Sequence, residues 1–362
     1  MDNTSKANVA EKKVPAKNRI AKWDNIKFFL IIFVVLGHFI NETVLNDYEK
    51  EYKLMEQCVF FIYTFHMPAF IFLSGLYAKR TVDNKRYDKI GSYLRLYFVM
   101  TFIVFAAKFV VQAKAPYALM YEIGVPWYAL SLFSMYLIMI FLRPYHKYEI
   151  IVGTILLGMV IGYDRKIGSF LCLSRTLTFL PFFVLGYYFD AKKFLDFLEK
   201  KVVKVISALV LIGYIVVINL TIKDSYFMYH NFLKGRSTYP STFKIAVMGE
   251  FWNSFGWLYR LGYYFVAFAI MVAFFSIIPN VNLKFITKLG SRTLPVYAIH
   301  YAVVFILVDG CKINEAFRDM KDQRVAFILI ILLSIAVQLI LSIKPLADVF
   351  AKMMSTPNSE KN

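Results

Sequence analysis

Residues 23–40, WDNIKFFLIIFVVLGHFI, decide the fold: between Lys27 and His38 every residue is apolar or glycine. A helix rising about 1.5 Å per residue needs roughly 20 such residues to cross the ~30 Å hydrocarbon core of a bilayer. The run from about 24 to 42 meets that length, and nine further runs follow at about 55–78, 92–112, 126–142, 149–163, 168–189, 203–221, 258–279, 293–309 and 325–343. The expected fold is therefore all-α, a polytopic integral membrane protein with about ten transmembrane helices. An even number puts both termini on one side. The expected division is a basic cytosolic tail over 1–22, a transmembrane domain over 23–345 and a cytosolic C-terminal tail over 346–362.

Composition agrees: of 362 residues 59% are hydrophobic and only 18% charged, well away from the roughly 25% charged residues of a soluble domain. The net charge of +18 has an orientation rather than a nucleic-acid reading, because Lys and Arg gather on alternate loops as cytoplasmic loops require. With the N-terminus inside, the inside segments hold 26 Lys and Arg and the outside ones 14. The short loops show it best. Asn41 to Lys53 carries Glu42, Asp47, Glu49 and Glu51, whereas Lys79 to Arg95 carries Lys79, Arg80, Lys85, Arg86, Lys89 and Arg95. The expected topology is N-in, C-in, in the plasma membrane. Cys58, Cys172 and Cys311 are odd in number and without CxxC spacing, so neither a metal site nor a disulfide framework is expected. The loop from about Ile222 to Trp257, rich in aromatic residues, reads either as an interfacial belt or as a lid over a substrate channel.

An ionisable side chain inside a span costs at least ~2.5–3.5 kcal/mol to insert, so each one is a functional candidate. His38, His66, Arg175 and His300 meet that description. Lys27 and His38 stand eleven residues apart, close to three helical turns, so they share a face with roughly 16 Å between them along the axis. Two readings fit the pair. Lys27 can hold an anionic group such as a phosphate while His38 takes a proton from an attacking hydroxyl, or Lys27 snorkels and His38 packs. Pro68, two residues past His66, allows a kink, and the small pair Ser74-Gly75 allows close helix packing.

Taken in order, Asp24-Asn25-Ile26-Lys27 through Gly37-His38, Phe65-His66-Met67-Pro68-Ala69-Phe70 with Leu73-Ser74-Gly75, Trp127-Tyr128, Leu180-Pro181-Phe182-Phe183 with Gly186, and Leu294-Pro295-Val296-Tyr297 with His300 resemble acyltransferase family 3. The short form, similar to fucose 4-O-acetylase-like proteins, fits best. The resemblance implies a membrane O-acyltransferase that takes acyl groups, usually acetyl, from cytosolic acyl-coenzyme A and delivers them to sugar hydroxyls of a glycan or glycolipid, with no resident cofactor. It assigns the essential histidine to His38. Lys27 stands where the family typically has Arg, and it joins Arg86, Lys89 and Arg95 as the expected binders of the coenzyme phosphates. His66, Ser74, Trp127, Arg175, Tyr297 and His300 are expected to line the cavity. A transporter or flippase is the competing class, but the spans hold scarcely any Asp or Glu of the kind proton pathways use and no convincing inverted repeat.

Overall fold

Each apolar run becomes a helix because a backbone in hydrocarbon can satisfy its own N–H and C=O groups only that way. The computed structural model describes residues 20–45, 52–113, 119–121, 124–164, 167–168, 170–221, 226–243 and 249–355. Within them the chain is helical and has no strand, only an isolated bridge between Tyr121 and Phe170. The helices that match the ten runs are α1 (Ala21–Ile40), α2 (Lys53–Leu76), α3 (Tyr87–Gln112), α4 (Trp127–Leu142), α5 (Lys147–Val160), α6 (Leu173–Tyr188), α7 (Lys201–Thr221), α8 (Gly256–Ile277), α9 (Thr293–Phe305) and α10 (Gln323–Leu341). Among the described residues, seven helices are long and apolar enough to cross a bilayer; α4, with 16 residues, is apolar but shorter. α5 has 14 residues and α6 has 16.

Burial sorts the helices into centre and rim. In the most apolar windows of α1 and α2, 72% of the residues are buried inside the protein, against 17% for α7. Val202, Val205, Leu209, Ile212 and Leu220 of α7 face outward, as a lipid-facing rim requires.

α2 and α6 cross in close backbone contact. A Cβ at Gly75 would run into the backbone carbonyl of Phe183, and one at Gly186 into that of Phe72. Small residues let membrane helices approach this closely, because packing rather than a hydrophobic driving force holds them together. That is what Ser74-Gly75 provides. α2 runs through Pro68 as one unbroken helix.

The start of α1 is tied down by polar groups. Lys22, wholly buried, donates through Nζ to Glu199 at 2.8 Å and to the carbonyls of Ser276 and Ile278 at 3.4 and 2.6 Å, where α8 ends. Asn25 donates to the carbonyls of Pro279 and Val281, each at 3.0 Å, and accepts from Thr287 at 2.7 Å. A lysine that by sequence belongs to the end of the tail is thus a structural post, and α1 begins at Ala21. Helix Lys344–Met354 occupies most of the described part of the segment read as the C-terminal tail; residues 1–19 and 356–362 lie outside the described residues. Short helices join the spans. In one of them, Ala191–Leu198, the Asp190 carboxylate caps the first turn by accepting from the backbone N–H groups of Lys193 and Lys192, which holds its pKa below the usual carboxylate value.

Candidate active site

Two adjoining cavities lie among the described residues inside the bundle. The larger, about 750 Å³, lies at the N-terminal end of α1 and is lined by Asp24 and Lys27 of α1, Ser74 of α2, Lys89 of α3 and Tyr128 of α4, among others. The smaller, about 220 Å³, lies toward the other end of α1 and is lined by His38, Glu42, Tyr63, His66, Trp127, Arg175 and Lys234, among others. Val34, Met67 and Tyr297 line both, so three side chains form the wall between them. Lys27 and His38, on one helix face, therefore stand in different chambers.

In the larger cavity Lys27 pairs with Asp24 at 2.7 Å, the i,i+3 spacing of a helix, and the Asp24 side chain is almost wholly buried. Ser74 accepts from or donates to Tyr128 at 3.0 Å and donates to Phe70 O. The basic loop contributes unevenly. Lys89 lines the cavity, and Arg80 and Arg86 add to the positive field around it. Arg86 itself pairs with Asp88 at 3.1 Å. Arg95 points away, donating to the carbonyls of Met353 and Ser355 at the end of helix Lys344–Met354, where the unpaired carbonyls favour a cation. Neither Arg86 nor Arg95 is part of the cavity lining.

In the smaller cavity the His38 ring packs against two rings of α9, its centroid 5.3 Å from that of His300 and 5.2 Å from that of Tyr301. His300 differs from its expected place: it is wholly buried and stands behind His38 rather than lining either cavity. Its Nδ1 lies 2.9 Å from the carbonyl of Val296 and 3.0 Å from that of Tyr297. Carbonyls only accept, so Nδ1 carries the proton and, in the neutral ring, Nε2 is the bare nitrogen. His66 is fixed the same way, with Nδ1 2.7 Å from Ile62 O. Arg175, in the first turn of α6, sets its guanidinium 4.6 Å over the Trp127 ring, which suits a cation held near apolar surroundings. Tyr297 donates to Val125 O at 2.8 Å, which seats it in the shared wall.

Several residues of this chamber carry little sequence signal. Tyr63 is sandwiched between His66 and His230, with ring centroids 5.0 and 4.9 Å away. Asn41 Nδ2 donates to the Tyr63 hydroxyl at 2.5 Å and to Gly37 O at 2.8 Å. Asn41 opens a five-residue π-helical turn, Asn41–Leu45, that continues α1 just past His38; such turns recur at functional sites. From the aromatic loop, His230 and Tyr239 fold inward and Tyr239 donates to Met159 O, whereas Phe251 and Trp257 stay exposed. The described part of the loop is thus buried in places and exposed in others. The three cysteines are free, and the described residues hold no cluster of metal-ligating side chains.

Apolar helices around two interior chambers, one lined by Lys27 and Lys89 and the other by His38 with Arg175, Lys234 and Arg236, fit a multi-pass membrane protein that can take ligands inside its bundle. Residues 20–343 match the family model of the acyltransferase domain, and the chain belongs to that family, acyltransferase family 3. It is a membrane acyltransferase. No curated protein and no solved structure matches the chain.

Proposed function

We propose that the chain transfers an acetyl group from cytosolic acetyl-coenzyme A to a sugar hydroxyl of a cell-surface or exported glycan, across the plasma membrane. One observation carries the reading: a cavity with Lys27 and Lys89 and a cavity with His38 share the wall of Val34, Met67 and Tyr297. With the N-terminus inside, the 750 Å³ cavity takes the donor from the cytosol, its two lysines on the coenzyme phosphates and the thioester reaching the wall. The 220 Å³ cavity is below the ~300 Å³ at which pockets begin to take drug-sized ligands, a size that suits one sugar ring.

His38 acts as general base. As the sugar oxygen attacks the thioester carbonyl, the imidazole takes its proton; when the carbon–sulfur bond breaks, that proton passes to the departing coenzyme thiolate. Arg175, which lines the same cavity as His38, is the cation assigned to offset the charge that develops on the carbonyl oxygen. His300, behind His38, is a positioning residue. Among the remaining expected residues, Ser74 belongs to the donor side, His66 and Trp127 to the acceptor side, and Tyr297 to both.

The test is purified protein with radiolabelled acetyl-coenzyme A and a glycan extract of the cells that carry the gene. Loss of a general base costs ~10²- to 10⁴-fold, so His38→Ala should transfer at least a hundredfold more slowly while eluting and melting like the parent. Near-normal transfer by folded His38→Ala would overturn the mechanism.

A further inference from the structure

A third cavity, of about 760 Å³, lies outside the bundle core as a groove between α7 and α8, floored by Phe60 and Thr64 of α2. Its walls are apolar and aromatic, and Val217, Phe255 and Leu258 leave it open toward the side of the protein. The polar groups at its floor satisfy each other, the Thr64 and Tyr214 hydroxyls standing 2.6 Å apart. A groove of this kind at membrane depth takes a hydrocarbon chain, since neither water nor a glycan gains anything there.

It meets the acceptor chamber along a single turn of chain. Phe232 and Leu233 line the groove, while Leu233, Lys234 and Arg236 line the chamber with His38. The turn is built, not loose. Arg260, wholly buried, donates to Phe232 O at 3.2 Å and stacks 4.0 Å over the Phe232 ring. On the other side Ser174 donates to Gly235 O at 3.0 Å. Gly235 takes φ +66° against the ring of Phe179, a conformation that favours glycine. At the border between the apolar groove and the polar chamber the lining charges are Arg175, Lys234 and Arg236 against Glu42.

An apolar channel, then an excess of cations, then an imidazole: this order matches one kind of molecule. We propose that the acceptor is a lipid-linked sugar, its hydrocarbon chain in the α7–α8 groove, its linking phosphate at Lys234 and Arg236, and its sugar hydroxyl at His38. This rests on the acyltransferase reading and narrows its acceptor from a glycan or glycolipid in general to a phosphate-linked lipid sugar that enters sideways from the bilayer.

Gly262 supplies the test. It lines the groove in mid-helix, and a Cβ there would meet nothing within 4 Å. Gly262→Trp therefore starts from a Cβ that meets no neighbour, directs its bulk at the groove, and replaces glycine with a better helix former. The probe is a benzophenone-bearing farnesyl phosphate, photolysed with the intact protein in nanodiscs of phosphatidylethanolamine and phosphatidylglycerol. The expected result is crosslinking to peptides of α7 and α8, reduced at least fivefold by Gly262→Trp. A Lys234→Gln, Arg236→Gln double variant should lose that labelling, while the farnesol analogue without phosphate labels parent and double variant equally weakly. Equal labelling of the parent and Gly262→Trp overturns the proposal, as does a parent that stays unlabelled because bilayer phospholipid occupies the groove. Labelling needs no turnover, so His38→Ala should label like the parent. Acetyl transfer is scored on the same preparations, so a failed groove and a failed enzyme give different patterns.

Discussion

Gly37→Ala adds one methyl group beside His38, and the geometry sets what that should cost. The new Cβ would stand 2.8 Å from the Cε1 atom of Tyr63, where ordinary contact is 3.4–4 Å. The ring would have to retreat by 0.6–1.2 Å. It has nowhere to go: its hydroxyl is bonded to Asn41, and its faces are covered by His66 and His230. Overpacking of this sort costs about 1–3 kcal/mol, and a shift near 1 Å in reacting groups costs about 10²-fold in rate. Gly37→Ala should therefore fold, melt below the parent, and transfer acetyl ~30- to 100-fold more slowly. Its KM for acetyl-coenzyme A should hold, because Lys27 is most of three turns away. Gly213→Ala is the control, since its Cβ would meet nothing within 4 Å; it should be neutral or slightly stabilising. Thermal unfolding in detergent and initial rates of coenzyme release read both effects. Parent-like melting and rate in Gly37→Ala would refute the reasoning.

Lys27→Met should raise the KM for acetyl-coenzyme A about tenfold, the loss of one charge-assisted bond, and Lys27→Arg should restore it; equal KM values in all three proteins would remove Lys27 from the donor site. Asn25→Ala gives up two donated hydrogen bonds and one accepted, about 3 kcal/mol, so its melting temperature should fall by roughly 5 °C; an unchanged value would mean that the knot at the start of α1 contributes little. For topology, Cys311 is exposed and native. A thiol reagent that cannot cross membranes should label it on intact cells and should miss a cysteine placed at Lys85; the opposite pattern would invert the donor and acceptor sides.

The helices are legible because a run of about twenty apolar residues suits little besides a buried or membrane-spanning helix, and all ten runs coincide with helices. What apolarity does not carry is which way a polar side chain turns. Arg86, Lys89 and Arg95 share one basic loop and helix start, yet only Lys89 reaches the cavity, because Arg86 has Asp88 beside it and Arg95 finds free carbonyls at a helix end far along the chain. His38 and His300 both read as intramembrane imidazoles. Their difference, one lining the chamber and one behind it, is set by the rotation of α9 against α1. Lys234, Arg236 and His230 lie in a stretch without periodicity, so nothing in the sequence points them inward. Lys22 reads as part of the tail because a lysine at the edge of a polar segment usually stays in water; here Glu199 and two carbonyls replace the water.

The wall of Val34, Met67 and Tyr297 also bears on the cell's energy supply. A protein hollowed at two depths is one short step from a pore, and an open pore would discharge the proton gradient at a rate no enzyme's turnover could justify. Two apolar side chains and a tyrosine whose hydroxyl is already engaged by Val125 O put little at that point for a chain of water to bind to. Under the proposed reaction only a small acyl group need cross that point, and the thioester bearing it would act as the stopper while it does. Trimming the wall, as in Val34→Gly with Met67→Ala, should then turn the protein into a slow proton leak, visible as collapse of a pH gradient in sealed proteoliposomes.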